Sequence, residues 1–221
     1  MEQTSPASPL RVVVLISGNG SNLQAIIDKI AADNIPAEVV AVISNKADAY
    51  GLTRARNAGI DVEVIEHTDH DDRLSFDESL KEKIDYYQAD LVVLAGFMRI
   101  LTDDFVNHYA GRMINIHPSL LPRYQGLNTH QRVLDAKDTV HGASVHFVTP
   151  ELDGGPVILQ ASVPIKENDT AESLAQRVHQ VEHKIYPQVV KWFAEHRLQL
   201  DGDTVLFDNQ EMTQQQKSWS G

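Results

Sequence analysis

The chain contains no cysteine. That excludes disulfides, thiolate metal sites and cysteine nucleophiles, and it suits a reducing cytoplasm, which is the expected location. Positive charge is scarce as well: 19 Lys and Arg stand against 31 Asp and Glu, a formal net charge of −12. Phosphate backbones are bound through clustered basic side chains, so no nucleic-acid partner is expected. A small phosphorylated ligand needs only local donors and stays open. No apolar run approaches the length of a membrane-spanning helix, so no membrane partner is expected either. Residues 1–9 are small and polar, without the basic-then-apolar order of a signal peptide, and residues 1–10 are expected to form a flexible leader. No internal repeat, linker or second composition regime interrupts the chain beyond them, and 221 residues suffice for one domain with its own core.

What is present alternates between strand and helix signals. Val12-Val13-Val14-Leu15-Ile16 is a continuous apolar run of the kind a strand covered on both faces carries. It breaks at Ser17-Gly18-Asn19-Gly20-Ser21-Asn22, after which Leu23, Ile26, Ile27 and Ile30 recur at helical spacing. Strand, glycine turn and helix together aim backbone N–H groups and a positive dipole end at an anion. The dinucleotide fingerprint fails, since Leu23 occupies the third glycine position and no acid closes the second strand at Ser44-Asn45. A single phosphate fits better than a pyrophosphate, and a turn that merely joins strand to helix is the plain alternative.

Strands are further expected over residues 38–43, 61–65 and 91–95, and helices over residues 51–58 and 71–88. Phe97-Met98-Arg99-Ile100-Leu101 forms an apolar loop after the strand that Gly96 closes, where open α/β sheets bind ligands. Met113 to Ile116 suits a short strand stopped by Pro118, which leaves Asn115 and His117 on one face of its end. An amide donor beside a group that titrates near neutral pH can steady an oxyanion while a proton moves. A helix is expected next, over residues 130–136. Two strands, 140–148 and 157–165, are joined by a connection too short for a crossover, so they pair antiparallel. Asp153-Gly154-Gly155-Pro156 is turn chemistry, and Asp153 has the plain role of starting that turn. A helix over residues 170–195 carries a stripe from Leu174 to Phe193, a hairpin spans residues 198–206, and the glutamine-rich end is expected to be disordered. The fold class is α/β: a single-domain, doubly wound, mostly parallel sheet with antiparallel strands toward the C-terminus. The domain is expected over residues 11–207, with residues 208–221 as a tail. No spacing suggests a metal.

Four long motifs in this order resemble the glycinamide ribonucleotide formyltransferase family, folate-dependent enzymes of purine biosynthesis with a Rossmann-like formyltransferase fold. They are Ile16-Ser17-Gly18-Asn19-Gly20-Ser21-Asn22-Leu23-Gln24, Leu94-Ala95-Gly96-Phe97-Met98-Arg99-Ile100-Leu101, Asn115-Ile116-His117-Pro118-Ser119-Leu120-Leu121-Pro122 and Leu152-Asp153-Gly154-Gly155-Pro156. The resemblance implies Asn115, His117 and Asp153 as the catalytic set. It implies Gly20, Ser21 and Asn22 on the substrate phosphate and Glu182 on the ribose hydroxyls. Arg73, Met98, Arg99, Ile100 and Leu101, together with Asn115, would hold the co-substrate 10-formyltetrahydrofolate, with no metal. The implied partners are two small molecules, glycinamide ribonucleotide and a reduced folate. Pro150 departs from the family, which commonly carries an acidic residue there, and proline removes a backbone donor. A methionyl-tRNA formyltransferase would share the catalytic set but bring a basic RNA-binding domain. A formyltetrahydrofolate hydrolase would bring an amino-terminal regulatory domain. A non-enzymatic nucleotide-binding module would leave residues 115, 117 and 153 no reason to converge.

Overall fold

A computed structural model describes residues 8–219. Its centre is a seven-stranded sheet in the order β3-β2-β1-β4-β5-β6-β7. The strands are β1 (Leu10–Ile16), β2 (Ala37–Ser44), β3 (Asp61–Val64), β4 (Leu91–Leu94), β5 (Met113–His117), β6 (Val140–Phe147) and β7 (Val157–Pro164). Strands β1 to β5 run parallel, and β6 and β7 pair antiparallel on the far side of β5. The expected doubly wound sheet with late antiparallel strands is therefore present.

The burial of β1 explains its unbroken apolar run. Val12, Val14 and Ile16 pack into a core with α1 (Ser21–Ala32) and α6 (Ala171–Ala194). Val13 and Leu15 face a second core built on α3 (Arg73–Tyr86) and α4 (Asp103–His108). A strand with two buried faces has no position for a polar side chain. The remaining helices, α2 (Tyr50–Asn57) and α5 (Thr129–Asp135), lie close to their expected spans.

Strand order reverses between β1 and β4, and such a switch point opens a crevice beyond the carboxyl ends of the strands. Both the 17–22 turn and the 96–101 loop sit there. Three features differ from expectation. Helix α4 is only six residues long, too short to show a period in the sequence, and Thr102 starts it by accepting from the Phe105 N–H. The 198–206 hairpin, β8 (Leu198–Asp201) with β9 (Thr204–Phe207), gains a third strand, β10 (Gln210–Glu211). The glutamine-rich segment is ordered up to Trp219: Ser218 bridges to Gln160 and Trp219 packs against the main core, burial that a polar composition hides. Most of the expected leader, residues 1–7, lies outside the described residues, while Leu10 already belongs to β1.

Tyr186 of α6 ties the sheet together at the site. Its fully buried hydroxyl meets the carbonyls of Leu94 on β4 (2.9 Å) and Ile114 on β5 (3.1 Å). Removing a buried donor leaves its acceptors a partner short, at a cost of about 1–3 kcal/mol. Tyr186→Phe is therefore expected to lower the unfolding free energy by that amount in urea titrations with an unchanged m-value, as followed by circular dichroism.

Candidate active site

Antiparallel pairing of β5 with β6 sets Asn115 opposite His146 and His117 opposite Ser144. Side chains of paired residues share a face. Ile114 and Ile116 point the other way, into the core that α6 covers. Over the polar face lie the loops after β5 and β6, and these bring in the remaining groups.

His117 is buried, 6% exposed. Its Nε2 lies 2.9 Å from the Tyr124 carbonyl. A carbonyl can only accept, so Nε2 carries a hydrogen and Nδ1 is the nitrogen without one in the neutral ring. Nδ1 faces Asp153 Oδ2 at 3.4 Å. That separation exceeds the usual ~2.7–3.2 Å of a hydrogen bond, so the contact becomes an ion pair when the ring is protonated. Asp153 adopts a left-handed backbone at φ 51 in the loop before β7, a conformation that short polar side chains tolerate. The Gly126 N–H donates to the same Oδ2 at 2.8 Å, and Gln125 Nε2 donates to the Asp153 carbonyl at 3.2 Å. The two loops thus clamp the carboxylate at the imidazole.

Sequence reasoning did not single out His146. Its Nδ1 lies 2.8 Å from the Phe147 carbonyl and therefore carries the hydrogen, which leaves Nε2 as an acceptor. Burial holds its pKa below the ordinary histidine value and keeps it neutral, although the hydrogen bond to Phe147 and the charge of Asp153 act in the opposite sense. Asn115 Nδ2 lies 3.2 Å from that bare nitrogen. One amide hydrogen is spent on His146, and the second can point into the crevice. The only signal was its place beside Ser144 on one face of the alternating strand; the register with Asn115 was not legible.

The glycine turn is held at the other end of the crevice. Gly20 sits at φ +73, and a Cβ there would lie 2.6 Å from the Gly51 Cα, so glycine is required twice over. It precedes α1 without a side-chain cap, and no carboxylate lies in that helix's first turn. Leading N–H groups with a positive dipole end suit an anion. Asn22 Nδ2 donates to Glu182 Oε2 on α6 at 3.0 Å, while Asn22 Oδ1 is buried with no partner among the described residues. Glu182 is 3% exposed, and burial raises its pKa above the usual carboxylate value; the Asn22 hydrogen bond partly opposes this. His179 is half-exposed and stands 4.0 Å from Glu182.

Ser17 links turn and loop. Its hydroxyl donates to Asn45 Oδ1 at 2.6 Å and accepts the Met98 N–H at 2.8 Å. Asp77, buried on α3, accepts the Thr102 N–H at 2.6 Å, so the 98–101 loop is tied at both ends. Met98 and Ile100 are exposed, Leu101 is half-buried, and the Arg99 guanidinium lies over the Phe76 ring at 5.8 Å. Arg73 is exposed at the start of α3, three and four residues before Phe76 and Asp77 and so on their side of the helix. No cluster that could hold a metal is found among the described residues, and no described helix is long and apolar enough to cross a membrane.

Comparison with known proteins gives this geometry its context. A model of the formyl transferase family matches residues 10–190. The phosphoribosylglycinamide formyltransferase of Escherichia coli is 54% identical over 206 residues, 93% of this chain and 97% of that protein. The Haemophilus influenzae enzyme of the same name is 48% identical over 90% of this chain and 93% of its own. The solved phosphoribosylglycinamide formyltransferase of Coxiella burnetii superposes with a TM-score of 0.91 at 52% identity, covering 96% of this chain and 100% of that one. The chain belongs to the formyl transferase family, and within it groups with the phosphoribosylglycinamide formyltransferases.

Proposed function

We propose that the chain transfers the formyl group of 10-formyltetrahydrofolate to the amine of 5'-phosphoribosylglycinamide, in the cytoplasm, by direct attack without a covalent enzyme intermediate. The observation that carries this reading is the meeting of His117, two residues from Asn115 on β5, with Asp153 of the loop before β7, at the carboxyl end of β5. No cysteine is available as a nucleophile.

The glycinamide nitrogen bonds to the formyl carbon, and negative charge gathers on the formyl oxygen. Asn115 donates its free amide hydrogen to that oxygen, and protonated His117 donates from Nδ1 while Asp153 balances the charge. As the carbon–nitrogen bond to the folate breaks, the proton lost by the attacking amine is delivered to the departing folate nitrogen, with His117 and Asp153 as the relay. Gly20, Ser21 and Asn22 take the phosphate, and Glu182 accepts from the ribose hydroxyls. Met98, Arg99, Ile100 and Leu101 wall the folate beside Asn115, and Arg73 receives the acidic end of its tail. With Pro150 in the folate-side loop, no N–H is offered at that position.

The deciding assay mixes purified protein with both substrates and tracks release of tetrahydrofolate. Release that requires the nucleotide supports the transferase, and release without it would indicate a hydrolase. Losing one oxyanion donor typically costs on the order of 100- to 1,000-fold. Asn115→Ala and His117→Ala are each expected to lose at least that much kcat with the thermal transition intact, and near-normal turnover in either would remove its role.

Glu182 gives a second prediction, with a sign. Its ionised form is the acceptor that ribose hydroxyls need, and burial disfavours that form. Nucleotide affinity should therefore rise as pH rises through the Glu182 titration. Glu182→Gln should abolish this dependence and raise the nucleotide KM roughly ten-fold, about one hydrogen bond to a charged group, with the folate KM unchanged. A wild-type affinity independent of pH would contradict the assignment.

A further inference from the structure

His117, Ser144 and Gln160 are consecutive partners across β5, β6 and β7. They form one row on the polar face, running from the imidazole to the edge strand. The row ends in a node of hydrogen bonds that the catalytic set does not use. Gln160 Nε2 donates to Ser144 Oγ at 2.8 Å and to the Leu121 carbonyl at 3.0 Å. Ser144 Oγ donates in turn to the Ser119 carbonyl at 2.6 Å and accepts the Leu121 N–H at 3.0 Å. Ser119 Oγ donates to the Arg123 carbonyl at 2.6 Å. The whole turn from Pro118 to Tyr124 is thereby shaped around Ser144 and Gln160, and this turn delivers the carbonyl that fixes the His117 tautomer.

The outer side of Gln160 is held as well. Its N–H donates to the Lys217 carbonyl and its carbonyl accepts the Trp219 N–H, each at 2.7 Å. Ser218 pairs with it in parallel, and Trp219 packs against the core. An edge strand with free N–H and C=O groups can shift or fray; this one is pinned at the residue whose side chain reaches the turn.

We propose that Gln160 is a positioning residue for His117 and that the Thr213–Trp219 segment is the strap that keeps Gln160 in place. The proposal rests on the role of His117 given above. It requires the donor character of Gln160: a side chain of the same shape that can only accept would face the Leu121 carbonyl with a lone pair, and the turn would be pushed away.

The test uses Gln160→Glu, Gln160→Leu and Trp219→Ala, each in the full chain, with His117→Ala as control. Misplacing a reacting group by about an ångström costs on the order of 10- to 100-fold. That fall in kcat is expected for all three, largest for Gln160→Glu, with the nucleotide KM within roughly twofold because the phosphate turn is untouched. Nitrogen-15 NMR of His117 should show loss of the dominant Nε2–H tautomer, which a role in packing alone would not produce. Gln160→Leu decides where a half-buried carboxylate prevents folding. Unchanged kcat and tautomer in the variants, or a nucleotide KM that rises along with the fall in kcat, would overturn the proposal. If His117→Ala stays active, the transferase mechanism itself falls; if it is dead while the Gln160 variants are normal, only the positioning role does.

Discussion

A carboxamide offers an oxygen and a nitrogen of nearly equal size, and a site that needs a donor must tell them apart. At Asn115 the distinction comes from His146, whose Nδ1 hydrogen is committed to the Phe147 carbonyl and whose burial keeps the ring neutral. The bare Nε2 then accepts from Asn115 Nδ2, which fixes which end of the amide is the nitrogen. The same logic fixes His117 in the opposite sense. The Tyr124 carbonyl holds the Nε2 hydrogen, so Nδ1 is left to meet Asp153. Two histidines of one sheet face thus carry opposite tautomers, each set by a backbone carbonyl.

That arrangement depends on the change from parallel to antiparallel pairing at β5. A parallel neighbour would need a helical crossover, which would cover the polar face. The antiparallel β6 places His146 and Ser144 beside Asn115 and His117 and leaves the face to two loops. On the other side of β5, the strand-order reversal between β1 and β4 opens the crevice that the glycine turn and the 98–101 loop share, and Ser17 joins them through a single hydroxyl.

Much of this was legible in the sequence, for definite reasons. The buried run at Val12–Ile16 and the capped stripe of α6 announce themselves, because a two-sided strand and a long amphipathic helix leave strong periods. Asn115 and His117 could be set side by side because Pro118 stops their strand, whereas Asp153 read by itself as a turn residue and joined them only through the family resemblance. Helix α4 and strand β10 escaped because six and two residues carry no period. Order in the 210–219 segment escaped because it depends on Trp219 finding the core and on an edge strand distant in sequence. The role of His146 is a matter of register between strands, and register is decided by tertiary packing.

The claim most exposed to test is that His146 acts through Asn115. A double-mutant cycle measures this directly, from kcat of His146→Ala, Asn115→Ala and the double variant. If His146 serves to orient the amide, the double variant is about as impaired as Asn115→Ala alone, because nothing remains to be oriented. Losses that multiply would contradict this and assign His146 an independent part in the reaction.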